Sequence, residues 1–136
     1  MKFTVPAKTT NPANGSQGRT RGGQIARSKA RAKVRRSAWL CALSSKAWGP
    51  PMLPVVVTMR RVAPSAGLDE HDGLRGALKP VVDGLADALG LKSDRDPRVR
   101  WAYDQRRGRP GEYAVEVEVR EASEVERKGW MMGAGR

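Results

Sequence analysis

The chain reads as an α+β domain, a small mixed β-sheet packed by two helices, and three observations predict it. Val55, Val56, Val57 and Thr58 form a β-branched run of the kind that fills a buried strand. Two later segments, Arg98 to Asp104 and Tyr113 to Val119, alternate apolar and polar side chains, as strands with one covered face do. Between them, Leu74, Ala77, Leu78, Val81, Val82, Leu85, Ala88 and Leu89 keep the i, i+3, i+4, i+7 spacing of a helix with one buried face.

The elements follow in order. Residues 2 to 5 predict a short strand ending at Pro6, and Thr9 to Gly23, rich in Gly, Asn, Ser and Thr, predicts a loop that carries Arg19 and Arg21. From Gln24 to about Ala47 there is no Gly or Pro, and the wealth of Ala, Arg and Lys favours a first helix. Arg27, Arg31 and Arg35 would share one face of it, with Ala30, Val34, Ala38 and Cys41 turned inward. Gly49-Pro50-Pro51 stops that helix, and Met52 to Val62 predicts a strand that Pro54 confines to an edge or to a late start. The second helix conflicts with Pro80, because an interior proline removes a backbone donor and costs about 3 kcal/mol; it ends at Gly90. The turn-rich link Arg106 to Gly111 predicts a β-hairpin joining the last two strands, with a basic tip. Residues 1 to 120 are expected as a single domain and 121 to 136 as a flexible C-terminal tail, in which Trp130, Met131 and Met132 could dock on a partner.

Charge divides the chain. All 14 acidic residues lie at or beyond Asp69, the residues before it hold 13 Lys and Arg, and the net charge is +12. Such asymmetry points to nucleic acid or another polyanion. Arg19, Arg21, Arg27, Arg31 and Arg35 are the expected DNA-binding residues; a solvated helix face is the plain alternative. Cys41 is the only cysteine, which excludes an intrachain disulfide and a cysteine-built zinc cluster. No apolar run approaches the roughly 18 residues of a membrane span, and Met1 to Pro6 lacks a signal-peptide core, so a cytoplasmic protein with no membrane partner is expected.

The carboxylates cluster. Asp69, Glu70 and Asp72 precede the second helix, and Asp94 and Asp96 follow it. Together they are the candidate ligands of a hard cation such as Mg²⁺, with Mn²⁺ as a substitute. Acids also suit helix starts and turns, so each cluster has an ordinary reading beside the metal one. Topology favours the metal reading if Asp96 begins a strand lying beside the preceding one, which would return it toward Asp72. Lys79, two helical turns after Asp72, either pairs with Asp83 or touches a phosphate. His71 is the only histidine and stays outside the leading site. No Walker loop, zinc motif or Ser-His-Asp order is present.

This order of features resembles the RusA family of Holliday junction resolvases, small phage and bacterial endonucleases. The family pattern is Asp-x-Asp-Asn-Leu, a helix with a Lys and a later Asp-Ala-Leu, then an Asp before a strand. The matching text is Asp69-Glu70-His71-Asp72-Gly73-Leu74, Lys79, Asp87-Ala88-Leu89 or Asp83-Gly84-Leu85, and Asp94-Arg95-Asp96-Pro97-Arg98-Val99. Phe3-Thr4-Val5-Pro6, and Gly18-Arg19-Thr20 followed by a basic helix, resemble the family's start, so the resemblance covers about residues 2 to 119. Gly73 stands where the family has Asn, and Lys79 stands about one turn further along the helix.

The resemblance implies a RusA-like fold and a Mg²⁺-dependent, structure-selective endodeoxyribonuclease. It would resolve four-way DNA junctions by paired nicks, in recombination and repair. Asp72 and Asp96 would be catalytic and hold the metal with Asp69 or Glu70, Asp94 would belong to the same carboxylate set, and Lys79 would offset charge on the phosphate. It also implies a homodimer on branched DNA. The rival expectations are a non-catalytic basic DNA- or RNA-binding protein and an inactive member of the family.

Overall fold

The structure is a computed structural model and describes residues 1–9, 21–45, 53–65, 67–68 and 73–134. Its elements are β1 (Lys2–Val5), α1 (Arg21–Ser44), β2 (Val55–Ala63), α2 (Arg75–Ala88), β3 (Val99–Arg107), β4 (Ala114–Glu121) and α3 (Glu124–Ala134). They form an α+β fold with one four-stranded mixed sheet in the order β1-β4-β2-β3.

β2 is central because it is apolar on both faces: Val55, Val57 and Met59 are sealed on one side, Val56 and Val62 on the other. It pairs in parallel with β3, Val57 opposite Trp101, and antiparallel with β4, Val57 opposite Val119. β1 completes the sheet against β4, Phe3 opposite Val117. The predicted late start is observed, since β2 begins at Val55, directly after Pro54.

The hairpin expected between β3 and β4 is not formed. The two strands flank β2, and the link from Gly108 to Tyr113 steps across it. Alternation within each strand marks one covered face, but it carries no information on which strand is the neighbour. A two-sided apolar strand needs partners on both edges, and β2 took both.

α1 and α2 cover the face bearing Val5, Val57, Met59, Val117 and Val119, where Ala38, Ala42, Leu78, Val81, Val82 and Leu85 join one core. α1 contributes little to it. Val34 and Cys41 are only partly buried, and Ala30, expected inward, is exposed. The small side chains of α1 matter for another reason, since they allow α2 to come close. At Gly84 an added Cβ would lie 2.8 Å from Ala38 Cβ and would press on the carbonyl oxygen of Arg35. α2 runs through Pro80 after a wide i→i+5 turn at Gly73 and Leu74, and burial of seven of its residues offsets the lost donor. It closes in a Schellman motif: Gly90, at φ 74°, donates to Asp87 O and Leu91 donates to Ala86 O.

The tail expected over 121–136 is instead helical from Glu124 to Ala134, so three helices rather than two pack on the sheet. Ser123 and Glu126 form a capping box, in which Glu126 N–H donates to Ser123 Oγ and Ser123 N–H to Glu126 Oε1. Trp130 holds α3 to the far face of the sheet against Val56 and Ala122, with the Arg100 guanidinium 4.5 Å from its ring centroid.

Two glycines in helices should respond oppositely to alanine. Gly84→Ala gains helix propensity but overpacks the α1–α2 contact, so urea unfolding should show a net loss of about 1 to 3 kcal/mol. Gly129→Ala meets nothing within 4 Å and should stabilise by about 0.5 to 1 kcal/mol.

Candidate functional site

The parallel β2–α2–β3 unit places the turn before β3 alongside α2. Residues 15 apart in sequence therefore meet, with Lys79 Nζ donating to Asp94 Oδ2 at 2.6 Å. The same ammonium lies 3.2 Å from Asp83 Oδ1, one turn along α2. The turn is pinned from the sheet as well, because Trp101 Nε1–H donates to Asp94 O at 2.8 Å. Arg75 stacks on Tyr103, its guanidinium carbon 4.9 Å from the ring centroid. Arg75, Lys79 and Asp83 recur every four residues on α2, and Trp101 and Tyr103 alternate on β3, so a helix stripe faces a strand stripe.

Ionisation follows the contacts. Burial works against the Lys79 charge, but hydrogen bonds to Asp94 and Asp83 outweigh it and raise its pKa. The hydrogen bond from Lys79 holds the Asp94 carboxyl below its ordinary range. Burial raises the Tyr103 phenol. The side chains of Asp83 and Asp94 thus flank the one ammonium.

Asp96 serves a different partner. Its Oδ1 accepts from the Arg98 backbone N–H at 2.9 Å, an Asx turn that starts β3, and both its oxygens accept from the Arg98 guanidinium. These bonds lower its pKa from 3.8 to about 2. The expectation that Asp96 lies where a strand beside β2 begins is met, and its carboxylate is turned to Arg98. Asp69, Glu70, His71 and Asp72 lie outside the described residues. Among the described residues, no group of three His, Cys, Asp or Glu side chains could hold a metal ion.

The basic residues divide likewise. Arg35 is not available as a phosphate contact in this arrangement, because Asp87 on α2 accepts from its Nε and Nη2 at 2.7 and 2.9 Å. This pair raises the Arg35 pKa and lowers that of Asp87. Arg31 is exposed, with Lys29, Lys33 and Arg36 exposed on the same helix, and among the described residues none of the four forms an ion pair. Arg27 is half-buried; Arg19 and the side chain of Arg21 lie outside the described residues, although Arg21 itself begins α1 rather than belonging to the loop. No helix among the described residues is long and apolar enough to cross a membrane.

Sequence reasoning passed over Arg75, Trp101 and Tyr103. Their i, i+4 and i, i+2 spacings were legible, but nothing in the sequence said that α2 and β3 pack side by side. Comparison with protein-family models and with curated proteins finds no match.

The Asp96–Arg98 contact sets a pH dependence. A carboxyl depressed from 3.8 to about 2 contributes stability above about pH 4 and loses it as pH falls toward 2. Carboxyl-carbon NMR should give a midpoint of about 2 for Asp96, returning toward 3.8 in Arg98→Ala.

Proposed function

We propose that the protein is a Mg²⁺-dependent endonuclease of branched DNA, with four-way junctions as its foremost substrate. The observation that supports this reading is the Lys79–Asp94 contact, since two residues singled out by the order of the sequence motifs meet across α2 and the turn before β3. The carboxylate set would comprise Asp72 with Asp69 or Glu70, together with Asp94. Asp96 would join it only by giving up Arg98.

Carboxylate oxygens are the donors that Mg²⁺ prefers, and Asp94, kept anionic by Lys79, is of the right chemistry. When bound, the metal supplies a Lewis acid that activates water and offsets phosphate charge. The protein's own part is positional. Asp83 and Asp94 hold the Lys79 ammonium in one place, where it can meet developing charge on a phosphate oxygen without reorganising. Trp101 keeps the Asp94 turn against β3. Lys29, Lys33 and Arg36 on the outer face of α1, and Arg31, exposed on the stripe it shares with Arg35, would meet the DNA backbone, a contact that positions the duplex without reading bases. A homodimer would supply two such sites for paired nicks in a junction of approximate two-fold symmetry.

A second reading is a non-catalytic DNA-binding protein. It is favoured by the fact that Asp94 and Asp96 are each already matched by a cation.

An end-labelled synthetic four-way junction and a matched linear duplex, with Mg²⁺ or EDTA, separate the two. The nuclease reading requires Mg²⁺-dependent paired nicks confined to the junction. Asp72→Asn and Asp94→Asn should each lower the cleavage rate by about 100-fold or more while junction binding persists. Tight binding without cleavage in either condition would establish the binding protein. In both cases affinity should fall steeply between about 50 and 200 mM salt, and replacing Lys29, Arg31, Lys33 and Arg36 by Gln should flatten that slope by roughly 3 to 4.

A further inference from the structure

Arg61 is an arginine inside the sheet's covered layer. It occupies β2 in the row Gln105, Arg61, Val115, on the face that α1 and α2 cover, and only 5% of it is exposed. Its Nε–H donates to Thr9 Oγ1 at 3.1 Å, and Thr9 is equally buried. Among the described residues these are the only two buried polar or charged side chains, and no described carboxylate pairs with the guanidinium. Burial draws its pKa down, yet an arginine stays charged at any physiological pH. A cation enclosed with no counter-charge among the described residues is a costly arrangement unless an anion completes it.

The surroundings point the same way. Tyr113, half-open to solvent, lies close enough for its phenol to act on the Arg61 charge, and Lys8 Nζ stands 4.9 Å from the Tyr113 ring centroid. Thr9 accepts from Arg61 through its oxygen, which leaves its own O–H free to donate. The adjacent acid, Glu112, is turned away, toward Arg106 and the backbone N–H of Arg109. Arg61 thus contacts Thr9 and Lys8 contacts Tyr113, residues drawn from β2, the segment after β1 and the approach to β4.

We infer that Arg61, with Thr9, Lys8 and Tyr113, forms a binding site for a phosphate oxyanion. The planar guanidinium fork matches two phosphate oxygens, and the neighbouring hydroxyls and ammonium match the rest. A free phosphate and the phosphodiester of a nucleic-acid strand present the same oxygens, and the site is independent of whether the protein cuts DNA.

The test uses the full chain, its Arg61→Met and Arg61→Lys variants, inorganic phosphate, and a single-stranded oligonucleotide. Phosphate at about 10 mM should shift the Arg61 Nε–Hε NMR signal and raise the melting temperature by a few degrees. Arg61→Met, which removes the enclosed charge and keeps an unbranched apolar stem, should melt no lower than the parent without phosphate and should lose the phosphate response. Arg61→Lys should keep part of it. If oligonucleotide affinity also falls about tenfold in Arg61→Met, the phosphodiester is an occupant; if it is unchanged while the phosphate response is lost, the ligand is a free phosphate. An Arg61 signal indifferent to both ligands, or an equal phosphate response in parent and Arg61→Met, would overturn the site. The NMR arm decides the matter in the parent protein even if Arg61→Met does not fold.

Discussion

The burial of β2 on both faces is the constraint on which the remaining structure depends. A strand with Val55, Val57 and Met59 on one side and Val56 and Val62 on the other must have a layer above and a layer below. It must also have a strand on each edge, because an unpaired backbone at the centre of a core would leave donors and acceptors unsatisfied. β3 and β4 occupy those edges, α1 and α2 form the upper layer, and the sealing of Val56 calls α3 to the lower one. The parallel pairing of β2 with β3 then requires a crossover, and α2 is that crossover. Everything proposed for Lys79 and Asp94 follows from where it lands.

Much of this was legible in the residues. The β-branched run gave β2, the apolar periodicity gave α2 almost to its ends, and Gly90 gave its stop. What failed was relational. Alternation in 98–104 and 113–119 shows that each strand has one covered face, but the two partners of β2 are chosen by the tertiary core, and a short turn-rich link looks alike whether it closes a hairpin or steps over a strand. The missed helix α3 is a different kind of miss. Ser123-Glu124-Val125-Glu126 is a capping box visible in the sequence, but the glycines at 129 and 133 weaken the helical signal after it, and Trp130 is its principal anchor. The candidate site was legible as a list of carboxylates but not as a set of partners. Asp94 and Asp96 are two residues apart, and only the Asx turn at Asp96 separates the one that faces Lys79 from the one that faces Arg98.

Ion pairing distinguishes the protein's positive charges by task. Arg35 ties α1 to α2 through Asp87, Arg98 shapes the entry to β3 through Asp96, and Arg120 secures α3 through Glu126. Exposed pairs of this sort contribute little to overall stability, so their value is more in orienting elements. They also remove those arginines from the pool that can meet a polyanion. Among the described residues, the charges left over on α1 are Lys29, Arg31, Lys33 and Arg36, on a helix held at a fixed angle to α2 by the close contact at Gly84.

The pairing of β1 with β4 joins the two ends of the domain: the Met1 ammonium donates to Val119 O across 118 positions of sequence. β1 therefore has no partner until β4, the last strand of the sheet in chain order, has been made. During that interval β1 is a lone strand, while β2, α2 and β3 can already assemble as a contiguous unit. Such long-range closure is intrinsically slow, and a sheet arranged this way closes from the middle outward.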